Sequence, residues 1–262
     1  MRKCVRLGLC LLAVMAGASP AWAALVLNEV LFNVPDGGDN GFEFVEIRGN
    51  ASESVSNVWL IEIDSNGGTN GAILNAVNLT SAGTVGTNGL LVVRDAATAL
   101  VPAADPATTV LVSNFTPDLE NNTTTLALVT NFTGAIGNDL DTNNDGTIDV
   151  ALPWTTTLDA LTNQDSGGGD FPHADDLGFA GQVFPVNALF SPDYLMRDPN
   201  TPTTWIRADV LGNGSTPYAG PNTLGNPEVS DVAYGGLLAS PGNTNEAPAP
   251  AVSAISVPTF KK

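Results

Sequence analysis

The sequence predicts an all-β protein folded as an antiparallel sandwich or barrel. Short runs rich in Val, Ile, Leu, Thr and aromatic residues recur along the whole chain. Clusters of Gly, Asn, Asp and Pro separate them at turn spacing, and no long segment carries the 3.6-residue apolar period of an amphipathic helix. Many short strands at this spacing point to a sandwich or barrel rather than to alternating β and α units.

Strands are expected in order at residues 25–32, 42–48, 58–64, 73–79, 89–94, 109–112, 124–129, 147–150, 157–161, 194–197 and 204–208. Turn signals such as Asn66-Gly67-Gly68, Asn88-Gly89 and Asp145-Gly146 lie between them. In the third run, Trp59, Ile61 and Ile63 alternate with Val58, Leu60 and Glu62, so one face should be core.

The first 23 residues read as a secretory signal peptide. Arg2, Lys3 and Arg6 form a basic start, residues 7–18 are apolar, and Ala21-Trp22-Ala23 is a small-x-small cleavage site. The apolar stretch is too short to span a bilayer, which needs about 20 residues, so the mature chain from Ala24 carries no membrane span. Both cysteines, Cys4 and Cys10, lie in this segment, and the mature chain therefore has neither disulfide nor thiolate chemistry. At the other end, residues 246–262 open with Ala247-Pro248-Ala249-Pro250 and read as an extended tail outside the fold. A secreted domain is thus expected over residues 24–245.

Loss of the leader removes three of nine basic residues and none of the 27 acids, taking the net charge from −18 to −21. Such a surface repels nucleic acid, whose binding depends on Lys and Arg neutralising phosphates. With 43% hydrophobic and only 14% charged residues the chain still has the composition of a folded body. The acidity reads as solubility combined with affinity for cations.

One segment concentrates that affinity. Between Asp139 and Asp149 four carboxylates and two side-chain amides fall within eleven residues, with no Lys or Arg near enough to neutralise them. From Asp141 the spacing D-x-N-x-D-G-x-I-D sets oxygen donors at calcium-loop positions 1, 3, 5 and 9, a backbone carbonyl at Thr147 and a turn glycine at Gly146. The candidate ligands of a Ca²⁺ ion are therefore Asp139, Asp141, Asn143, Asp145, Thr147 and Asp149. Position 12, a bidentate Glu in a helix-loop-helix site, is Leu152 here, so affinity should be weak, in the range of about 10⁻⁴ to 10⁻³ M found in extracellular modules. The same Asn-Asp-Gly run also makes a good hairpin turn without any ion.

Catalytic signals are sparse. His173 is the single histidine, in Gly169-Asp170-Phe171-Pro172-His173, and reads as a surface loop residue beside acids. Zinc chemistry through several imidazoles is excluded, and neither a Gly-x-Ser-x-Gly elbow nor a phosphate loop is present. The acidic runs at 36–40 and 165–170 carry two carboxylates each and read as solvated turns.

Two stretches carry a family likeness. Leu27-Asn28-Glu29-Val30 followed by Glu43-Phe44-Val45-Glu46-Ile47 resembles the opening of a bacterial lamin tail domain, with its "INEI" strand and "E-[FW]-[VI]-E-L" strand. Ser240-Pro241-Gly242-Asn243-Thr244-Asn245 resembles the "TPG-x-x-N" finish, and Leu195-Met196-Arg197 with Trp205 resembles the "L-x-R" and "W" strands of that family. The resemblance implies an immunoglobulin-like β-sandwich spanning about residues 25–245, with an insertion at about 95–190 that holds the acidic loop. It also implies a bacterial, extracellular or cell-surface setting and a non-enzymatic binding or structural role towards an extracellular protein or polysaccharide. Because relatives occur joined to extracellular nucleases and phosphatases, a secreted hydrolase or its accessory domain is the competing class. Asn28, Glu29 and Glu46 match recurrent polar positions of the family, and Glu46 is expected to pair with Arg48 or with backbone donors at a sheet edge.

Overall fold

A computed structural model describes residues 25–33, 41–98, 100, 102–165, 169–184, 192–211, 223–229, 232–233 and 239–245. The expected leader, the acidic run at 36–40, part of that at 165–170 and the Ala/Pro tail fall outside these residues. Thirteen strands are present among them: β1 (Val26–Leu31), β2 (Phe44–Arg48), β3 (Val58–Asp64), β4 (Ile73–Asn78), β5 (Leu90–Arg94), β6 (Thr109–Val112), β7 (Thr124–Thr130), β8 (Thr156–Asn163), β9 (Val183–Phe184), β10 (Tyr194–Arg197), β11 (Trp205–Leu211), β12 (Thr223–Val229) and β13 (Val232–Ala233). Two short 3-10 turns are the helical content, and no helix among the described residues is long and apolar enough to cross a membrane.

The strands form two sheets, one of eight in the order β13-β12-β11-β10-β1-β2-β5-β6 and one of five in the order β4-β3-β7-β8-β9. Pairing is antiparallel except for β5 with β6 and β8 with β9, which run parallel at the sheet edges. The all-β sandwich expected from the sequence is thus the fold. Residues 95–190, expected as an insertion, supply β6 to β9, and β7 pairs with β3 along seven residues in the middle of the smaller sheet.

The strand expected at 147–150 does not form. Its amides are taken up inside a wound loop, where Asp149 N donates to the Leu140 carbonyl at 2.9 Å and Ile148 N to Asp176 at 3.2 Å. Strands β9, β12 and β13 were not foreseen: β9 is two residues long, and β12 contains Gly225 and Pro227, which read as turn punctuation.

Alternation sorts the side chains into three apolar layers. Leu27, Val45, Leu91 and Leu195 of the larger sheet meet Leu60, Leu126, Leu128 and Leu161 of the smaller one to form the central core. Trp59, Ile61 and Ile63 do share a buried face, but they point outward from the smaller sheet. They pack with Ile73, Leu140, Trp154 and Leu177 under the loops at 131–155 and 170–182. A third layer, with Phe44, Val92, Tyr194, Met196 and Ile206, covers the outer face of the larger sheet.

Two polar devices fasten these layers. Across the central core, Arg197 of β10 donates through Nη2 to Asp159 of β8 at 2.6 Å, while Leu27 N donates to the same carboxylate oxygen at 2.9 Å. The Trp205 ring stacks 4.5 Å from the guanidinium, and Gln182 links Trp205, Arg197 and Asp159. On the outer face of the larger sheet, residues 239–245 lie across β1 and β2. A β-bulge between Leu27 and Glu29 turns both Asn28 and Glu29 towards this segment. Ser240 N donates to Glu29 at 2.9 Å, Gly242 N to Glu46 at 2.6 Å, and Asn28 bridges Glu46 and Asn245. The expected backbone donor for Glu46 is present, yet β2 is an interior strand between β1 and β5 and no sheet edge is involved.

Breaking a buried ion pair from one side leaves the other charge without compensation, at a cost of about 3–5 kcal/mol. Arg197→Ala should lower unfolding stability by that amount in urea titration; a loss below about 1 kcal/mol would show that Asp159 does not depend on it.

Candidate functional site

The acidic loop lies between β7 and β8, over the outer layer of the smaller sheet. Its centre is Asp141, a fully buried carboxylate. One oxygen accepts from Asp145 N at 3.2 Å, and the other from Gly146 N at 2.8 Å and from the Asn70 amide at 2.5 Å. The chain thus winds around the first aspartate of the motif, using positive φ at Asn144 and Gly146. Two glycines make room for it: a Cβ on Gly71 would collide with the Asp141 backbone, and one on Gly146 would overlap the Phe171 ring.

The remaining candidate ligands lie around this centre. Asp139 caps Asp141 N at 3.0 Å, Asn143 Oδ1 accepts from Asp145 N at 3.0 Å, and Asp145 accepts from Thr147 N at 3.0 Å and from the Asn143 amide at 3.1 Å. Asp149 receives the Thr142 amide and hydroxyl at 3.1 and 3.0 Å. All six candidates therefore belong to one wound loop, five of them exposed beside the buried Asp141. Each carboxylate is turned to a hydrogen-bond donor of the protein, and among the described residues no three His, Cys, Asp or Glu side chains converge as a metal-binding group.

His173 is not a surface residue. Its side chain is fully buried, with Nε2 2.9 Å from Asn70 Oδ1 and Nδ1 3.2 Å from Asp176. Because Asn70 also donates to Asp141, a continuous polar line runs from Asp176 through His173 and Asn70 to the centre of the loop. A row of buried hydroxyls aims it: Ser65, Thr125 and Thr162 stand 2.8 and 2.7 Å apart on neighbouring strands. Thr125 accepts from His173 N and Thr162 from Ala174 N, so the sheet grips the backbone of the covering loop. The sequence shows only a run of three threonines, Thr123-Thr124-Thr125, and the hydroxyl partners of Thr125 are 37 and 60 residues away.

A second group of acids lies towards one end of the core. Glu43 is fully buried; its Oε2 accepts from Leu119 N at 2.9 Å, and burial pushes its carboxyl up to about 10, helped by Asp118, Asp95 and Glu62 nearby. Glu62 is buried as well and is raised to about 7 by desolvation, although the Asn75 amide, Glu120 N and the Thr124 hydroxyl all donate to it. Asp95 accepts from Glu43 N and Phe115 N and borders an open cleft of about 310 Å³ with Asn114, Thr116 and Asp118. Each of the three buried acids takes backbone N–H donors from a neighbouring segment, which is the work of a structural support. Sequence reading gave no sign of these roles.

Comparison with known proteins returns no matching family model, no matching curated protein and no matching solved structure.

Asn70→Ala removes a donor from Asp141 and the Nε2 partner of His173, and leaving buried polar groups unsatisfied costs about 1–3 kcal/mol each. The variant should unfold at lower urea by that amount, with protection of the 141–149 amides lost first in hydrogen exchange.

Glu62 and Glu43 carry folded values raised above the ordinary 4.5. Their contribution to stability is complete below about 4.5 and is lost as pH rises through the folded values, up to about 7 for Glu62 and about 10 for Glu43. The Glu62 share is on the order of 3 kcal/mol. The urea midpoint should therefore fall between pH 5 and pH 8, and Glu62→Gln should flatten the fall; a midpoint that rises across this range contradicts the burial of these acids.

Proposed function

We propose that this chain is an exported, non-enzymatic β-sandwich of lamin-tail type, a binding or structural module outside the cell in which Ca²⁺ stiffens the loop at 139–149. The observation that carries this reading is Asp141: a buried carboxylate that takes its hydrogen bonds from two backbone N–H groups and the Asn70 amide, encircled by its own chain and surrounded by further oxygen donors. Like charges about 4 Å apart repel by roughly 1 kcal/mol even in bulk water and by more at a protein surface. A dication held by Asp139, Asp141, Asn143, Asp145, Thr147 and Asp149 would remove that repulsion, the carboxylates giving up some internal hydrogen bonds for coordination.

The lamin-tail reading draws support from the contacts its motifs make. Asn28 and Glu46 near the start of the chain bond to Asn245 and Gly242 near the end, and Glu29 bonds to Ser240. Polar residues chosen by motif order alone are thus partners in space. The non-enzymatic reading draws support from His173, whose two ring nitrogens are committed to Asp176 and Asn70 rather than to a nucleophile. The partner class, an extracellular protein or polysaccharide, rests on the resemblance to lamin tail domains.

Binding with a Kd of 10⁻⁴ to 10⁻³ M would add about 1–3 kcal/mol at 10 mM Ca²⁺, or roughly 3–10 °C in melting temperature for a domain of this size. The purified mature protein should show this rise relative to EDTA, and Asp141→Ala/Asp145→Ala should abolish it. An unchanged melting temperature in calcium would remove the ion from the reading, and turnover of phosphoester, ester or glycoside substrates would replace the binding module with a hydrolase.

A further inference from the structure

The segment at 239–245 is held to the body in an unusual way. It forms no ladder with the larger sheet; its backbone N–H groups point instead at two glutamates. Glu29 and Glu46 are register partners on β1 and β2, so their side chains project side by side from the same face. Both are fully buried beneath the segment. Glu29 accepts from Ser240 N and from the Ser240 hydroxyl at 2.9 and 3.0 Å; Glu46 accepts from Gly242 N and from the Asn28 amide at 2.6 and 2.5 Å. Farther along, Asn245 donates to the Arg197 carbonyl at 2.7 Å, and the Gly242 carbonyl accepts from Asp105 N and the Thr108 hydroxyl.

The charged and titratable groups facing this pair are few. Arg48 on β2 favours ionisation of Glu46, while the buried Tyr194 phenol on β10 lies against Glu29. Residues 239–245 contribute no ionisable side chain, and Asp105 stands beyond Gly242 with its carboxylate turned to Ala107 N. Among the described residues one guanidinium thus faces two adjacent, fully buried carboxylates, where two negative charges cannot both be accommodated at low cost.

We propose that Glu29, Glu46 and residues 239–245 form a proton-dependent latch: the segment stays closed over the two glutamates while the pair retains a proton, and it opens as the pair becomes fully ionised. The direction follows from linkage. Closure buries both groups and raises them, Glu29 to about 7 and Glu46 well above its ordinary value, with burial the leading cause in each case and the Glu29 charge next for Glu46. Opening returns the carboxylates to water, where they ionise near their ordinary value of about 4.5. Opening therefore releases at least one proton, and its equilibrium constant should rise at least about tenfold per pH unit from about pH 5 to about pH 7. A mildly acidic medium keeps the latch shut; a neutral to alkaline one frees residues 239–245 and uncovers a polar groove on β1 and β2.

Amide hydrogen exchange on the full mature chain from pH 5 to pH 9, corrected for the intrinsic pH dependence of exchange, tests the latch. Protection of the Ser240 and Gly242 amides should fall at least about tenfold per unit between pH 5 and 7 and stay well below that of the β7 amides in the smaller sheet, whose own decline follows the global stability set by Glu62 and Glu43. Glu46→Gln and Glu29→Gln should each flatten the slope. Constant protection of 239–245 across the range would overturn the proposal, as would an equal slope in the wild type and both variants. Equal protection of β7 and 239–245 at every pH would also overturn it, because it would mean global unfolding rather than local opening. Should either variant fail to fold by circular dichroism, the comparison of Ser240 and Gly242 with β7 in the wild type decides the matter alone.

Discussion

The contact between Arg197 and Asp159 ties one sheet to the other through charge in a region where every neighbour is apolar or hydrogen-bonded. Apolar packing holds two sheets together without fixing how they are placed, since leucines and valines accept several registers at similar energy. A guanidinium that must reach Asp159, the Leu27 carbonyl and the Pro202 carbonyl at once accepts one arrangement. Trp205 closes over the ion pair and Leu27 N completes the carboxylate, so three strands of the larger sheet and one of the smaller meet at this point. Desolvating both charges costs several kcal/mol per ion before attraction returns it. The pair therefore specifies geometry more than it adds stability.

With that placement set, the outer layers follow a common rule. Each sheet has a second buried face, and each is covered by irregular chain that needs polar anchorage, because loops cannot hide their amides in an apolar layer. The smaller sheet supplies hydroxyls from Ser65, Thr125 and Thr162, and the larger sheet supplies carboxylates from Glu29 and Glu46. Hydroxyls are neutral at every accessible pH, whereas carboxylates are not. The two covers thus differ in kind: the sheet holds one by neutral hydroxyls, and the one at 239–245 by carboxylates whose charge follows proton activity.

Much of this fold was legible in the sequence because alternation reports burial directly. Residues 58–64, 109–112 and 194–197 have the bounds that period-2 patterning and flanking turns suggested. What pattern could not report was the destination of each face. Trp59, Ile61 and Ile63 read as core, and they are, but beneath loops rather than between sheets. The polar residues Asn28, Glu29 and Glu46 were legible as positions, while their use was not, because Ser240 and Gly242 lie about 200 residues away. The acidic loop was legible as a set of donors. Its apparent strand at 147–150 was misleading because Thr147, Ile148 and Val150 have β propensity, whereas the Leu140 carbonyl and Asp176 claim the local amides. His173 was misread because burial depends on Thr125 and Asn70, which no local window contains.

Strand β1 opens the described chain yet lies in the interior of the larger sheet, with β2 on one side and β10 on the other. Its neighbours are made about 15 and about 165 residues later, so a chain emerging in order carries β1 with one bare flank until β10 is made. Loop closure over that distance is slow compared with local pairing. Until residues 194–197 arrive, the bare amides of β1 are a template for any other extended chain nearby. The last-formed pairing of β1, not its first, is what closes that flank.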